Sequence, residues 1–443
     1  MIQSLGSFTP ILIASFFLTM NQGLMGSILS VRLAQMDASA QVAGLMTTAY
    51  FAGHMFGSQL GHRLLGRIGH IRGFATVMAI AACSTLIIPV VPEPWAWIAI
   101  RFAIGTSLVL AFLVLESWLN MTATNTERGS VFGAYITIVY IGMTAGQAML
   151  GFLDPQAFHA FSIAAVCLML GQLPMTTTRL AQPVLPPETR VKLMDLYRMS
   201  PVGIAACVIS GALTGAIFGL FPFFAAGLGL DTGRIALFMS VVIGGGLALN
   251  WPLGRLSDRV DRRWIITAAA LMITTSSALL GLSDGQLSLL VPAGAILGGA
   301  TSVLYSLGVA HTNDNAGGID AVEVGAGLLL AFGVGAILGP PLASMMMDVL
   351  LPSALFGFTG VTGLALAGLA VARIAVRQPV LAADKIDFVA RSSAAVSSVT
   401  TEAAATADAA SAHDDTIETV HLAVAGLPIT DVERSTSAIA QSA

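Results

Sequence analysis

Two arginine-rich loops stand 192 residues apart, each at the end of an apolar stretch of membrane-spanning length. The second reads Gly254-Arg255-Leu256-Ser257-Asp258-Arg259-Val260-Asp261-Arg262-Arg263. The first, Gly61-His62-Arg63-Leu64-Leu65-Gly66-Arg67-Ile68-Gly69-His70-Ile71-Arg72, is a weaker copy in which Arg67 stands for Arg259. An unrelated pattern repeats at nearly the same distance: Gly142-xxx-Gly146-Gln147 returns 193 residues later as Gly335-xxx-Gly339-Pro340. Two motifs sharing one offset predict a duplicated fold. A duplicated helix bundle has its centre between the copies, where rocking exposes a site first to one side and then to the other.

Composition says what surrounds such a bundle. The chain is 56% apolar and 10% charged, with a mean hydropathy of +0.83. Soluble domains carry about 25% charged residues, and a soluble core of this size cannot hide so much apolar surface. Lipid can, so the chain reads as a polytopic membrane protein. Twelve spans of about 20 residues, the length a bilayer core requires, are expected near 8–31, 41–63, 71–91, 94–119, 129–151, 158–179, 201–226, 234–256, 263–283, 286–310, 320–347 and 351–376. The predicted organisation is an N-terminal six-helix bundle (1–179), a solvated linker (180–200) rich in proline and basic residues, a C-terminal six-helix bundle (201–377) and a disordered tail (378–443) of Ala, Ser, Thr and acids. Cys83, Cys167 and Cys207 all fall inside apolar spans and read as small core residues rather than a disulfide or metal framework. The first apolar run has no basic residue before it and is too long for a signal core, so it is expected to stay as a helix.

Basic residues set the expected orientation. With the N-terminus in the cytoplasm, only Arg32 and Arg234 fall outside and Arg101 falls within a span; the other 17 of 20 Lys and Arg are cytoplasmic.

These features resemble the major facilitator superfamily over about residues 8–376. The family's loop signature is Gly-x-Leu-[Ala/Ser]-Asp-[Arg/Lys]-x-Gly-Arg-[Arg/Lys], and the loop after the eighth span matches it with Asp261 at the second Gly. Arg101-Phe102-Ala103-Ile104-Gly105 matches the family's fourth-span Arg-x-x-x-Gly. Trp251-Pro252-Leu253-Gly254-Arg255-Leu256, Glu116-Ser117-Trp118, Gly142-xxx-Gly146-Gln147 and Gly339-Pro340 resemble, more narrowly, the YcaD-like bacterial transporters, a group that implies a machine without naming its cargo. There are two departures. Gly66 replaces the signature Asp in the first loop, and Gln147 stands where antiporters of the superfamily carry Pro in the fifth span.

A loop aspartate at a membrane surface can accept bonds from the free amides at a helix N-terminus and suits the positive end of its dipole. The resemblance implies that Asp258, beside Arg259, meets the start of the fifth span near Arg128. The first loop lacks its acid, but the eleventh span begins with Asp320 and Glu323. A second latch of opposite polarity is therefore expected, with Arg63, Arg67 or Arg72 on those acids. The alternative is that these charges only set orientation. Arg101 should face the bundle interior, because a charge within a span costs roughly 2.5–3.5 kcal/mol on insertion scales; it could bind an anion, couple a proton, or serve as a hydrogen-bond hub with Asn21, Gln22 or nearby carbonyls. Glu116 lies fifteen residues further along the same helix, about 22 Å away, and is either a coupling or gating group or a structural anchor. Asn21, Gln22, Tyr140, Gln147 and Tyr305 are the first candidates for a cavity lining; His54, Gln59, Asn250 and His311 are further polar residues in spans. The Gly-x-x-x-Gly pairs are expected to let helices approach closely.

The expected fold is all-α, with twelve transmembrane helices in two pseudo-symmetric bundles. The expected function is secondary active transport of a small solute across a bacterial cytoplasmic membrane by alternating access, coupled to protons. Efflux of a drug or metabolite comes first, and a nutrient-uptake symporter is the alternative. A membrane sensor or assembly partner that transports nothing is the alternative of another class. No metal-ligand cluster, phosphate-cradling loop, nucleophile–base pair or cofactor motif is found in the sequence, so no enzyme is expected. The expected partners are a solute, the bilayer and protons, not nucleic acid, and the expected state is a monomer.

Overall fold

The computed structural model describes residues 2–124, 128–177, 193–283, 286–316, 321–376 and 388; for a few helical residues, His62 and Arg128 among them, only the backbone is described. In chain order the helices are α1 (Ile2–Gln35), α2 (Ala40–Ile68), α3 (His70–Ile87, extended by a 3-10 turn at Ile88–Val90), α4 (Pro94–Thr122), α5 (Arg128–Leu150), α6 (Phe158–Thr177), α7 (Leu193–Met199), α8 (Pro201–Gly227), α9 (Thr232–Arg259), α10 (Arg262–Gly281), α11 (Leu287–Asn313), α12 (Ala321–Val349) and α13 (Ala354–Val376). Each expected span falls on one of the long helices. Eleven of these are both long and apolar enough to cross a membrane. The 29-residue α2 is long enough but carries Gln41, His54, Gln59, His62, Arg63 and Arg67.

A helix satisfies its own backbone, which is the condition for crossing lipid. Its ends need other partners. Asp231 accepts the amide of Arg234, Asp261 that of Arg263, and Ser200 that of Gly203. Pro94 and Pro201 occupy first-turn positions where no amide is needed. Large apolar side chains face outward along the long helices, among them Leu170, Leu279, Leu338, Val361 and Leu364. So much apolar exposure fits a lipid-facing surface.

Helices α1–α6 pack into one bundle and α8–α13 into another. The internal repeat reappears in the contacts. In the first bundle, Gly142 and Gly146 of α5 lie against the backbone of Phe16 and Met20 of α1; in the second, Gly335 and Gly339 of α12 lie against Val208 and Ala212 of α8. Gly53 and Gly105 abut the carbonyls of Phe102 and Tyr50 between α2 and α4, and Gly245 and Gly298 abut those of Ala295 and Val242 between α9 and α11. Every equivalent position is offset by 192 or 193 residues. At these places a side chain would meet backbone, so glycine is what lets each pair of helices close.

The bundles meet along α1 on α8, α2 on α12 and α8, and α5 on α9. Many of their contacts lie toward one end of the molecule, where α1 ends and α2, α4 and α9 begin. There Ser30 donates to the carbonyl of Gly219 at 2.7 Å, Thr48 donates to that of Ile337 at 2.9 Å, and Gly151 lies against Gly233. This is the joined end.

Two details depart from the sequence reading. The segment between the bundles reads as a solvated linker throughout, yet Leu193–Met199 form α7, and Leu196 is buried in the apolar cluster that also holds Tyr305 and Phe332. The prolines all precede this stretch, so nothing in it forbids a helix. The tail reads as disordered, yet Phe388, its one described residue, packs its ring against Gly254 of the signature loop. The rest of the tail lies outside the described residues.

Candidate functional site

Arg101 is buried, with 7% of its surface exposed, about seven residues into α4 from the joined end. Its guanidinium carbon sits 4.3 Å from the centre of the Tyr50 ring on α2, a cation–π contact. The Tyr50 hydroxyl accepts a 2.9 Å bond from the Gln22 amide on α1. One turn along α2, the His54 ring lies 4.6 Å from that of Tyr50. Phe51 stands edge-on to Tyr50 and packs against the cluster holding Tyr305 and Phe332 in the second bundle. The polar group of Gln22, Tyr50, His54 and Arg101 therefore lies next to the seam, on three helices of the first bundle.

Tyr140 faces the seam from α5. Its hydroxyl is 2.8 Å from Oγ of Ser302 on α11, and the Asn250 amide of α9 donates to the same oxygen at 3.3 Å. Two other residues expected in the lining make bonds within the first bundle. Asn21 donates to the carbonyl of Ala164 on α6 at 2.8 Å, and Gln147 accepts from Ser27 on α1 at 2.8 Å. Tyr305 is fully buried, its ring edge-on to Phe332.

Glu116 is fully buried in the last third of α4 and accepts a 2.8 Å bond from the Tyr135 hydroxyl on α5. Among the described residues, the signature loop is bonded within its own bundle. Arg262, 1% exposed, bonds Asp258 at 3.1 Å, Ser257 at 3.0 Å and Asp314 at the end of α11 at 2.7 Å. Arg263 bonds Asp261 at 2.6 Å and the carbonyl of Arg373 at the end of α13. Burial would push the Asp261 carboxyl up, but the bonds and charge of Arg263 outweigh it and hold the group below its ordinary range. Arg259 is exposed in the last turn of α9.

Arg67 is exposed, Glu323 is half-buried in the first turn of α12, and among the described residues no ion pair joins Arg63, Arg67 or Arg72 to Glu323. Asp320 and the side chain of Arg128 lie outside the described residues.

Tyr50, Ser302, Asp314 and Asp348 were not legible as site residues. Asp348 ends α12, where its carboxylate accepts the amides of Ala40 and Gln41 at 3.1 Å each. Tyr50 lies in the same span as His54, and only the packing of α4 on α2 joins it to Arg101.

Comparison with known proteins agrees with this architecture. The family model described as Major Facilitator Superfamily matches residues 11–249 and 202–405. The chain belongs to the major facilitator superfamily. Relatives from Salmonella arizonae and Salmonella typhimurium, each called an uncharacterized MFS-type transporter YcaD, are 27% identical over 333 residues, covering 75% of this chain and 86% of theirs. Two crystal structures of the nucleoside transporter NupG, one of a point mutant, superpose with TM-scores of 0.70 and 0.67 at 12% and 14% identity. They cover 83% and 84% of this chain and all of the NupG chains. As a facilitator-superfamily member the chain is a multi-pass membrane protein of a family that moves small solutes.

Proposed function

We propose that the protein is a secondary active transporter that moves a small solute across a bacterial cytoplasmic membrane by alternating access, with its N- and C-termini in the cytoplasm. One observation carries this reading. The bundles are fastened across one end, and a buried polar cluster lies beside the seam beneath that fastening. A site covered from one side is what alternating access requires in one of its states. Residues 1–179 and 201–377 are the rocking units. The joined end faces outward, since 17 of the 20 basic residues then face the cytoplasm. In the opposite state the α2–α12 seam parts at Asp348, while Arg67 meets Asp320 or Glu323. Such exposed pairs are worth only about 0.2–1 kcal/mol each, which suits contacts that must break in every cycle. Asp258 and Arg259 hold the companion latch toward the start of α5 at Arg128.

Protons supply the drive in this reading, and Glu116 is the candidate carrier. Its carboxyl is fully buried on the same helix as Arg101 and accepts from the Tyr135 hydroxyl of α5. The unit of transport is the monomer. The likeness to NupG, at 12–14% identity, supports the fold and leaves the cargo open.

The test is proton flux in proteoliposomes loaded with a pH-sensitive dye and challenged with pools of metabolites and antimicrobials, with Glu116→Gln as control. Coupled transport gives a pool-dependent pH change that the variant loses. The sign of the change relative to solute movement separates symport from antiport, and hence uptake from efflux. Solute movement with no proton movement would overturn the coupling. No movement of any pool by folded protein would favour a sensor role.

A further inference from the structure

We infer that Arg101 is the anchor of a binding site for a small organic monoanion, a carboxylate, held between the Arg101 guanidinium and the hydroxyl of Tyr50. The inference rests on the transporter reading and specifies its solute.

The first ground is an unbalanced charge. Arg101 is buried within the apolar bundle, and its Nε has no acceptor. The group it does touch, the face of Tyr50, is neutral. Among the described residues no carboxylate is paired with it, and Glu116, the acid deep in the same helix, is fifteen residues away along α4. A buried cation without a counter-ion is costly to keep. A protein retains one where an anion arrives to pair with it.

The second ground is the internal repeat, which serves as a control. The frame that holds Arg101 is built twice, through Gly53 and Gly105 in one bundle and Gly245 and Gly298 in the other. At the positions equivalent to Gln22, Tyr50, His54 and Arg101, the second bundle carries Thr214, Val242, Gly246 and Gly294. Helices α9 and α11 pack as α2 and α4 do without any of the four polar groups. The fold does not require the cation, so a role outside packing accounts for it.

The third ground is the arrangement of donors and acceptors. Tyr50 accepts from Gln22, which leaves its own O–H to donate. Gln22 Oε1 and His54 Nδ1 are buried without partners. One carboxylate can take the guanidinium and the tyrosine hydroxyl together, and a hydroxyl or amide hydrogen on the same solute can satisfy Gln22 Oε1. A single cation matches a single negative charge, which favours a monocarboxylate over a phosphate dianion.

The experiment is ligand binding to the purified full-length protein in detergent. Benzoate, salicylate and lactate are titrated against benzamide, salicylamide and lactamide, the neutral amides of the same shapes, by calorimetry and thermal shift. At least one acid should bind saturably, with its amide weaker by roughly tenfold or more, the scale of one lost charge-assisted bond. Arg101→Gln should show the same loss, Arg101→Lys should recover part of it, and Tyr50→Phe should weaken the acid alone. Binding of none of the acids, equal binding of acid and amide, or full binding by folded Arg101→Gln each overturns the inference. Should that variant fail to fold, the acid–amide comparison on the unaltered protein decides. Flux is not read in this assay, so an acid that binds but never crosses would sink the transport reading and leave the site standing.

Discussion

The amide of Ala40 donates to the carboxylate of Asp348 at 3.1 Å, so the first turn of α2 is capped by a residue from the opposite bundle. Ser39, the residue placed to cap α2 itself, makes no side-chain cap bond. The equivalent helix of the second bundle is capped locally, by Asp231. Of two helix starts related by the repeat, one is therefore fastened across the seam and the other is self-sufficient.

Asp348→Asn should loosen the joined end. Losing a charged cap costs about 0.5–2 kcal/mol; because Asp348 is exposed, the low end applies and salt should weaken the effect. A cysteine introduced at Gln41 should then react with a membrane-impermeant maleimide several times faster than in the parent. An unchanged rate would mean that the cap does not hold the seam.

The paired glycines should be intolerant in both bundles alike. Gly146→Ala drives a methyl into the backbone of Met20 and Leu24, and Gly339→Ala drives one into Ala212. Each should lower stability by about 1–3 kcal/mol, the usual range for overpacking. Gly66→Ala and Gly357→Ala, where a methyl meets nothing, should be close to neutral. Fluorescence-detected thermal unfolding in detergent separates the two groups.

Charge reversal should test the proposed contact of Arg67 with Glu323. Arg67→Glu and Glu323→Arg, tested singly and then together, should each reduce uptake or efflux, and the pair should restore it. Without rescue, the two residues would have no more than an orienting role.

Asp261 predicts a pH effect. Its folded pKa is depressed, so its contribution is complete above the ordinary carboxylate value near 3.8 and is lost as pH falls through the lower folded value. The thermal midpoint of the parent should therefore fall more steeply with acid than that of Asp261→Asn. Parallel curves would exclude Arg263 as the cause.

Deleting residues 378–443 removes Phe388 from Gly254. Transport unchanged by the deletion would make the tail dispensable. Gly254→Ala, whose methyl would enter the Phe388 ring, should reproduce whatever the deletion does.

The sequence alone determined the solvent, the element type and the duplication. Hydropathy averaged over twenty residues reports whether a helix can sit in lipid, and lipid forces each helix to bond its own backbone. Motif spacing survived as a physical signal because Gly142 and Gly335 sit at the same close approach in each copy. The identity of Arg101 as an interior charge was also legible, since a cation in an apolar span has nowhere else to go.

What only the tertiary structure decided is which polar residues share a place. Gln22, Tyr50 and Arg101 come from three helices, and nothing local distinguishes Gln22 from Asn21, one position away. A step of one residue turns a helical side chain by 100°, so Asn21 bonds α6 while Gln22 reaches Tyr50. Asp348 could not be read as a fastening, because its partners are backbone amides that the sequence does not mark. Side-chain type is written in the chain, but a site depends on which helix faces meet, and that is fixed only when the bundles pack.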